Sequence, residues 1–146
     1  MAANPDRRNV LIVDDHEPTR LLIGRIVTQE MGARVMLAGT CEEALRLALQ
    51  TKYDIILLDL LMPGIGGYEV LRRLRAEGAN RATPILVVSV MSDRDSIERC
   101  RLLGATAFVA KPVDRELVTT MLRSLLAPKQ ADAQPGKRTD LRDNGC

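Results

Sequence analysis

The sequence predicts an α/β fold in which five helices flank a doubly wound, five-stranded parallel sheet. Two observations carry that expectation. Five short apolar runs recur along the chain, and none alternates apolar with polar residues, the pattern of strands buried on both faces. Longer stretches with helical periodicity separate them, so strand and helix alternate as right-handed βαβ units require.

The first strand is Val10–Val13, and the helix after it has Pro18 in its first turn and Gly32 as a left-handed stop. This helix carries Leu21, Leu22, Ile23, Ile26 and Val27, a wide apolar stripe read mostly as core. The second strand is Val35–Ala38. Thr40 and Glu43 then form an S/T-x-x-E capping box that opens a helix through about Gln50. Strand three is Ile55–Leu58, and the third helix begins near Gly66 and Gly67, with Val70, Leu71 and Leu74 on one stripe. On that helix Arg72, Arg73 and Arg75 read as a solvated face, with Glu69 and Arg73 paired at i,i+4. Pro84 opens strand four, Ile85–Val88, at a position where a missing N–H is tolerated. Ser92 is expected to cap the fourth helix, with Asp93 and Asp95 in its first turn. Strand five is Ala107–Ala110. Asp114 caps the last helix, whose Leu117, Val118, Met121, Leu122 and Leu125 share a face.

Composition bounds the function. With 146 residues, 46% hydrophobic and 2% aromatic, the chain fits one domain with an aliphatic core. A net charge of +2 gives no electrostatic reason to expect nucleic acid as a partner. Cys41, Cys100 and Cys146 are far apart, which argues against a disulfide framework or a zinc site and for reduced thiols. No apolar run approaches the roughly 20 residues of a membrane span. A soluble, cytoplasmic protein is expected, with a folded domain at 8–127 and a polar, disordered tail at 128–146, too short for an output domain.

The chemistry lies at the C-terminal ends of the strands, where an open α/β sheet has its ligand crevice. Strand one ends in Asp14 and Asp15, strand three in Asp59, strand four in Ser89 and strand five in Lys111. Three crowded carboxylates repel one another unless a cation joins them. A hard divalent ion such as Mg²⁺ suits oxygen ligands of this kind. An Asp carboxylate can act as nucleophile toward phosphorus, while Lys111 offsets charge and Ser89 donates a hydrogen bond.

Asp14-Asp15, the segment Asp59-Leu-Leu-Met-Pro-Gly-Ile-Gly-Gly67, Ser89 and Lys111-Pro112 together resemble the signature of the receiver domain of two-component response regulators. The resemblance covers residues 8–127. It implies a flavodoxin-like strand order 2-1-3-4-5 and Asp59 as acceptor of a phosphoryl group. The donor it implies is a sensor histidine kinase or a histidine phosphotransfer protein. It further implies Mg²⁺, with Mn²⁺ as substitute, held by Asp15, Asp59 and the backbone carbonyl of Leu61, with Asp14 acting through water. Ser89, Lys111 and the backbone amide of Val90 would bind the phosphoryl group, and Ser89 and Phe108 would form a switch. The Lys111–Pro112 bond would be cis. The signal would leave through protein contact with a downstream effector at the surface of helix four, strand five and helix five. The domain would be a monomer or a phosphorylation-promoted dimer, a signalling domain with no separate substrate. Where the family usually has Ala or Gly, this chain has Val90. Leu61 and Met91 are also apolar where many members are polar, so a slow loss of phosphate is expected.

Competing readings are weaker. A haloacid-dehalogenase-like phosphatase needs a second Asp two residues beyond its nucleophile, where this chain has Leu61. A nucleotide-binding module needs a glycine-rich loop after strand one, where Asp14-Asp15-His16-Glu17-Pro18 would repel phosphate. His16 has no second His or Cys to share a metal with and is read as a helix-start residue. The alternative with most weight is a non-phosphorylatable pseudo-receiver serving as an interaction module, but it would lack one of the five pocket residues and none is missing.

Overall fold

Neighbouring residues of a strand point to opposite faces, and in the three central strands both faces are buried. A computed structural model describes residues 7–126. Its strands are β1 (Asn9–Val13), β2 (Arg34–Ala38), β3 (Ile55–Leu58), β4 (Ile85–Ser89) and β5 (Ala107–Ala110). They alternate with helices α1 (Glu17–Met31), α2 (Cys41–Gln50), α3 (Gly66–Ala76), α4 (Arg94–Leu102) and α5 (Arg115–Leu125). The sheet is parallel, in the order β2-β1-β3-β4-β5, the doubly wound order expected. Val10, Ile12, Ile55, Leu57, Leu86 and Val88 face α1 and α5, meeting Ile23, Ile26, Val118 and Leu122. Leu11, Val13, Ile56, Leu58, Ile85 and Val87 face the other layer, meeting Ala44, Leu47, Val70, Leu71 and Cys100. Each fully buried Leu or Ile contributes about 1.5–3 kcal/mol of transfer free energy.

The helix ends follow local chemistry. Gly32 closes α1 at φ 61°, and its N–H donates to Thr28. Thr40 caps α2 by accepting from the Glu43 N–H, while the Glu43 carboxylate reaches back to Gly39 N–H at 3.0 Å, one residue beyond the usual box. Asp114 caps α5 by accepting from the Leu117 N–H.

Four expectations are corrected. The runs at β2 and β5 are not buried on both faces, because both are edge strands; Met36 is exposed and Phe108 half-buried. Asp93, not Ser92, caps α4, because its carboxylate accepts from both the N–H and the hydroxyl of Ser96. Leu117 stands exposed rather than in its core stripe, whereas on α1 the stripe is mostly core as expected, with Ile23, Ile26 and Val27 buried and Leu21 and Leu22 its exposed remainder. Arg72 and Arg73 do pair with Glu69, but Arg75 leaves the solvated face and donates to the carbonyls of Asn80, Arg81, Thr83 and Gly104.

Cys41 and Cys100 are buried free thiols, and burial raises the pKa of each. Cys146 and the tail at 128–146 lie outside the described residues. Among the described residues no helix is long and apolar enough to cross a membrane.

Candidate functional site

Strand order reverses between β1 and β3. β1 is paired on one side with β2 and on the other with β3, so the loops leaving β1 and β3 part to opposite layers and open a crevice at their C-terminal ends. Three chemical residues stand one position beyond their strands, and each continues the ladder by one rung. The Asp14 N–H donates to Ala38 O at 3.1 Å, Asp59 N–H to Val13 O at 2.9 Å and Lys111 N–H to Ser89 O at 2.9 Å. The sheet itself therefore sets where these side chains start.

Their ends converge. Carboxylate oxygens of Asp14, Asp15 and Asp59 lie within 4.8 Å of one another. Asp14 and Asp59 are buried, at 1% and 4% exposure, while Asp15 faces solvent. Lys111 Nζ donates to Asp14 Oδ2 at 2.8 Å and to Asp59 Oδ2 at 3.2 Å. The remaining oxygens accept backbone amides, Asp14 Oδ1 from His16 at 2.9 Å and Asp59 Oδ1 from Leu61 at 3.2 Å.

Burial pushes the Asp59 carboxyl up, and the charge of Asp14 adds to that rise; Lys111 and the Leu61 amide oppose it. Burial would lower the Lys111 ammonium, but its bonds to Asp14 and Asp59 outweigh that, and its pKa is raised. Three acids facing one ammonium leave negative charge in excess, mostly inside the protein. A hard oxygen donor set of this kind fits a divalent cation such as Mg²⁺.

Ser89 ends β4 fully buried, and its Oγ accepts from the Met91 N–H at 3.1 Å, leaving its own O–H free to donate elsewhere. Val87 pairs with Phe108 and Ser89 with Ala110, so Ser89, Val87 and Phe108 share the sheet face toward α4. Phe108 lines a cavity of about 160 Å³ with Ile97, Cys100 and Ala105. Leu61 and Val90 are 50% and 58% exposed at the rim, and Met91 is half-buried against the core. The Lys111–Pro112 bond is cis. His16 takes the N-cap position of α1, with its Nδ1 2.7 Å from Thr19 Oγ1.

One residue at the site, Arg20, escaped sequence reasoning, and a second, Gly67, was named there without its contact to Asp59. Arg20 donates from Nη1 to the Asp14 carbonyl at 2.7 Å. Gly67 lies against Asp59 O and Leu60 so closely that a Cβ would collide with both. A glycine pair seven and eight residues after Asp59 marked Gly67; for Arg20, nothing in the spacing marked it out from a surface arginine.

Comparison with known proteins adds the family. The model of the response regulator receiver domain matches residues 10–123. The chain is 33% identical over 128 residues to the sensory/regulatory protein RpfC of Xanthomonas campestris, covering 86% of this chain and 18% of that protein. It thus spans under a fifth of that relative's length. Protein PilH of Pseudomonas aeruginosa is 30% identical over 118 residues, with 81% of this chain and 97% of PilH covered. Among solved structures, the receiver domain of the sensor histidine kinase PA1611 of Pseudomonas aeruginosa superposes with a TM-score of 0.75 at 28% identity. It covers 82% of this chain and 98% of that one, and has a magnesium ion coordinated in its active-site cleft.

Proposed function

The chain belongs to the response regulator receiver domain family, and on that premise we propose that Asp59 accepts a phosphoryl group in a Mg²⁺-dependent reaction. The observation that carries this is the Lys111 ammonium bound to two buried carboxylates, Asp14 at 2.8 Å and Asp59 at 3.2 Å. A carboxylate desolvated and paired with a lysine is poised as a nucleophile, and the lysine can follow the charge once a phosphoryl group arrives.

In the proposed reaction an Asp59 carboxylate oxygen forms the new O–P bond. The P–N bond of a donor phosphohistidine breaks, and its protonated ring leaves as neutral imidazole. Lys111 neutralises one phosphoryl oxygen, while the Ser89 hydroxyl and the Val90 amide donate to others. Asp14, Asp15, Asp59 and the Leu61 carbonyl would hold the Mg²⁺, whose charge would offset that of the transferring group. The magnesium ion in the PA1611 receiver supports that assignment for a protein of this family.

The donor is a sensor histidine kinase or a histidine phosphotransfer protein in the cytoplasm. Ser89 and Phe108, on one sheet face, carry the change to the surface of α4, β5 and α5, where a downstream protein binds. Such a switch needs two packings only a few kcal/mol apart. The cavity beside Phe108 gives its ring somewhere to move.

Incubation with Mg²⁺ and acetyl phosphate, followed by intact mass, tests the proposal. A single phosphoryl adduct, absent from Asp59→Asn and absent without Mg²⁺, is expected. A wild-type chain that binds Mg²⁺ and takes up no phosphoryl group overturns it in favour of a non-phosphorylatable interaction module.

A further inference from the structure

Given the divalent-cation site proposed above, on which this rests, we infer that Arg20 is its positioning residue: the guanidinium, seated in the notch left by Gly39, fixes the backbone on which Asp14 and Asp15 stand.

Asp14 is held at every polar atom. Its N–H donates to Ala38 O at 3.1 Å, Oδ1 accepts from His16 N–H at 2.9 Å, and Oδ2 accepts from Lys111 at 2.8 Å. Its carbonyl accepts from Arg20 Nη1 at 2.7 Å, a short charge-assisted bond. That carbonyl belongs to the planar peptide unit joining Asp14 to Asp15. Fixing its oxygen fixes the plane of the unit, and with it the direction in which Asp15 leaves the strand. Asp15 depends on this more than its neighbours do, since it is exposed and no described residue bonds to its carboxylate.

Arg20 is itself anchored. Its N–H donates to His16 O at 3.0 Å within the first turn of α1, so the side chain reaches back over the loop from a rigid base. Gly39 leaves room for it. A Cβ at 39 would lie 3.0 Å from Nη1, 3.4 Å from Cζ and 3.7 Å from Nη2. Gly39 is not among the positive-φ glycines, so what it supplies is space and not an unusual backbone conformation. One guanidinium thereby bonds to the end of β1 and packs beside the turn after β2.

Charge and position predict opposite signs. A cation beside a Mg²⁺ site repels the ion, so on charge alone the loss of Arg20 would tighten binding. Arg20 is half-exposed, where solvent and salt screen that repulsion, while the geometric bond is local and unscreened. Groups that orient metal ligands are worth about 10–100-fold in affinity; one acting through a ligand's backbone belongs at the low end, about tenfold.

Calorimetric titration of Mg²⁺ into the full chain decides between them. Arg20→Ala is expected to bind about tenfold more weakly than wild type, and Arg20→Lys, which keeps one donor, to fall between the two. Gly39→Ala, which crowds the guanidinium without removing it, should also weaken binding, and should cost nothing further in the Arg20→Ala background. If Arg20→Ala does not fold by far-ultraviolet circular dichroism, Gly39→Ala carries the test. An Arg20→Ala chain that binds Mg²⁺ as tightly as wild type or tighter overturns the positioning role while leaving the site intact. A wild-type chain that binds no Mg²⁺ removes the site, and this role with it.

Discussion

The ammonium of Lys111 sits nearer to Asp14, at 2.8 Å, than to Asp59, at 3.2 Å. One lysine is thus shared by two buried acids and leans toward the one that is not the proposed acceptor. Among the described residues neither acid has another ion-pair partner. Removing one member of a buried pair typically costs about 3–5 kcal/mol. Lys111→Met should therefore destabilise the metal-free domain by about 2–4 kcal/mol, the lower end reflecting protonation of Asp59. Saturating Mg²⁺ should restore much of the loss by supplying the missing positive charge. Urea denaturation with EDTA and with Mg²⁺ measures both; an equal loss in the two buffers would sink the idea.

The raised Asp59 carboxyl gives a pH dependence of definite sign. Its folded pKa lies above the unfolded value near 3.8, so the native chain holds its proton to higher pH than the unfolded chain does. Stability therefore falls as pH rises from the unfolded value through the folded one, and the penalty persists above. Asp59→Asn does not titrate there. In metal-free buffer the variant should be more stable than wild type at pH 7. The advantage should shrink as pH falls through the window and disappear near pH 3.8. The other groups at the site are Asp14, Asp15 and Lys111, and all three remain in the variant. An advantage that grows toward acid pH would reverse the assignment.

The site was legible because four of the five apolar runs stop at a residue that does the chemistry. Val13 is followed by Asp14, Leu58 by Asp59, Val88 by Ser89 and Ala110 by Lys111, and in the structure Asp14, Asp59 and Lys111 each make one further ladder bond. Strand ends in a parallel sheet come together, so four local signals described one place. What could not be read was set by tertiary neighbours. Val35-Met-Leu-Ala38 has the composition of a central strand, and only its place at the edge of the sheet leaves Met36 exposed. Ser92 and Asp93 are both good caps, and the hydroxyl of Ser96 decides for Asp93. The carbonyl partners of Arg75 lie at 80–83 and 104, contacts that helical spacing cannot show.

Gly67 sets how closely α3 approaches the strand that carries Asp59. A Cβ there would strike Asp59 O and the Leu60 Cα, and would lie 2.8 Å from Leu60 O, all backbone atoms that cannot swing aside. Its N–H donates to Leu60 O at 3.1 Å, so the helix start and the strand end are bonded as well as in contact. Gly67 is not among the positive-φ glycines, and the cost of a side chain is steric alone. Gly67→Ala should destabilise the fold by about 1–3 kcal/mol, as overpacking does. It should also slow acetyl-phosphate labelling of the molecules that remain folded, because Asp59 moves. Labelling at the wild-type rate in a destabilised variant would confine Gly67 to a packing role.

Leu61 and Val90 stand at the mouth of the crevice, on the loops that follow Asp59 and Ser89, and Met91 packs against the core behind them. Loss of phosphate from an aspartyl phosphate requires water to approach the phosphorus in line, and apolar side chains at that mouth neither orient nor activate it. Leu61 is half-exposed, and its amide is tied to Asp59 Oδ1 at 3.2 Å, so its backbone is fixed two residues from the acceptor while its side chain meets solvent. An amide side chain in its place could hold an attacking water by hydrogen bonds that Leu cannot offer. Leu61→Asn should therefore shorten the phosphoprotein half-life, by about tenfold if one such bond is worth about 1.4 kcal/mol in the transition state. Val90→Ala, which widens the opening without adding a polar group, should shorten it less. The decay of the phosphorylated chain, followed by intact mass after the donor is removed, gives both values. A Leu61→Asn half-life equal to or longer than that of the wild type would show that water is excluded by something other than this rim.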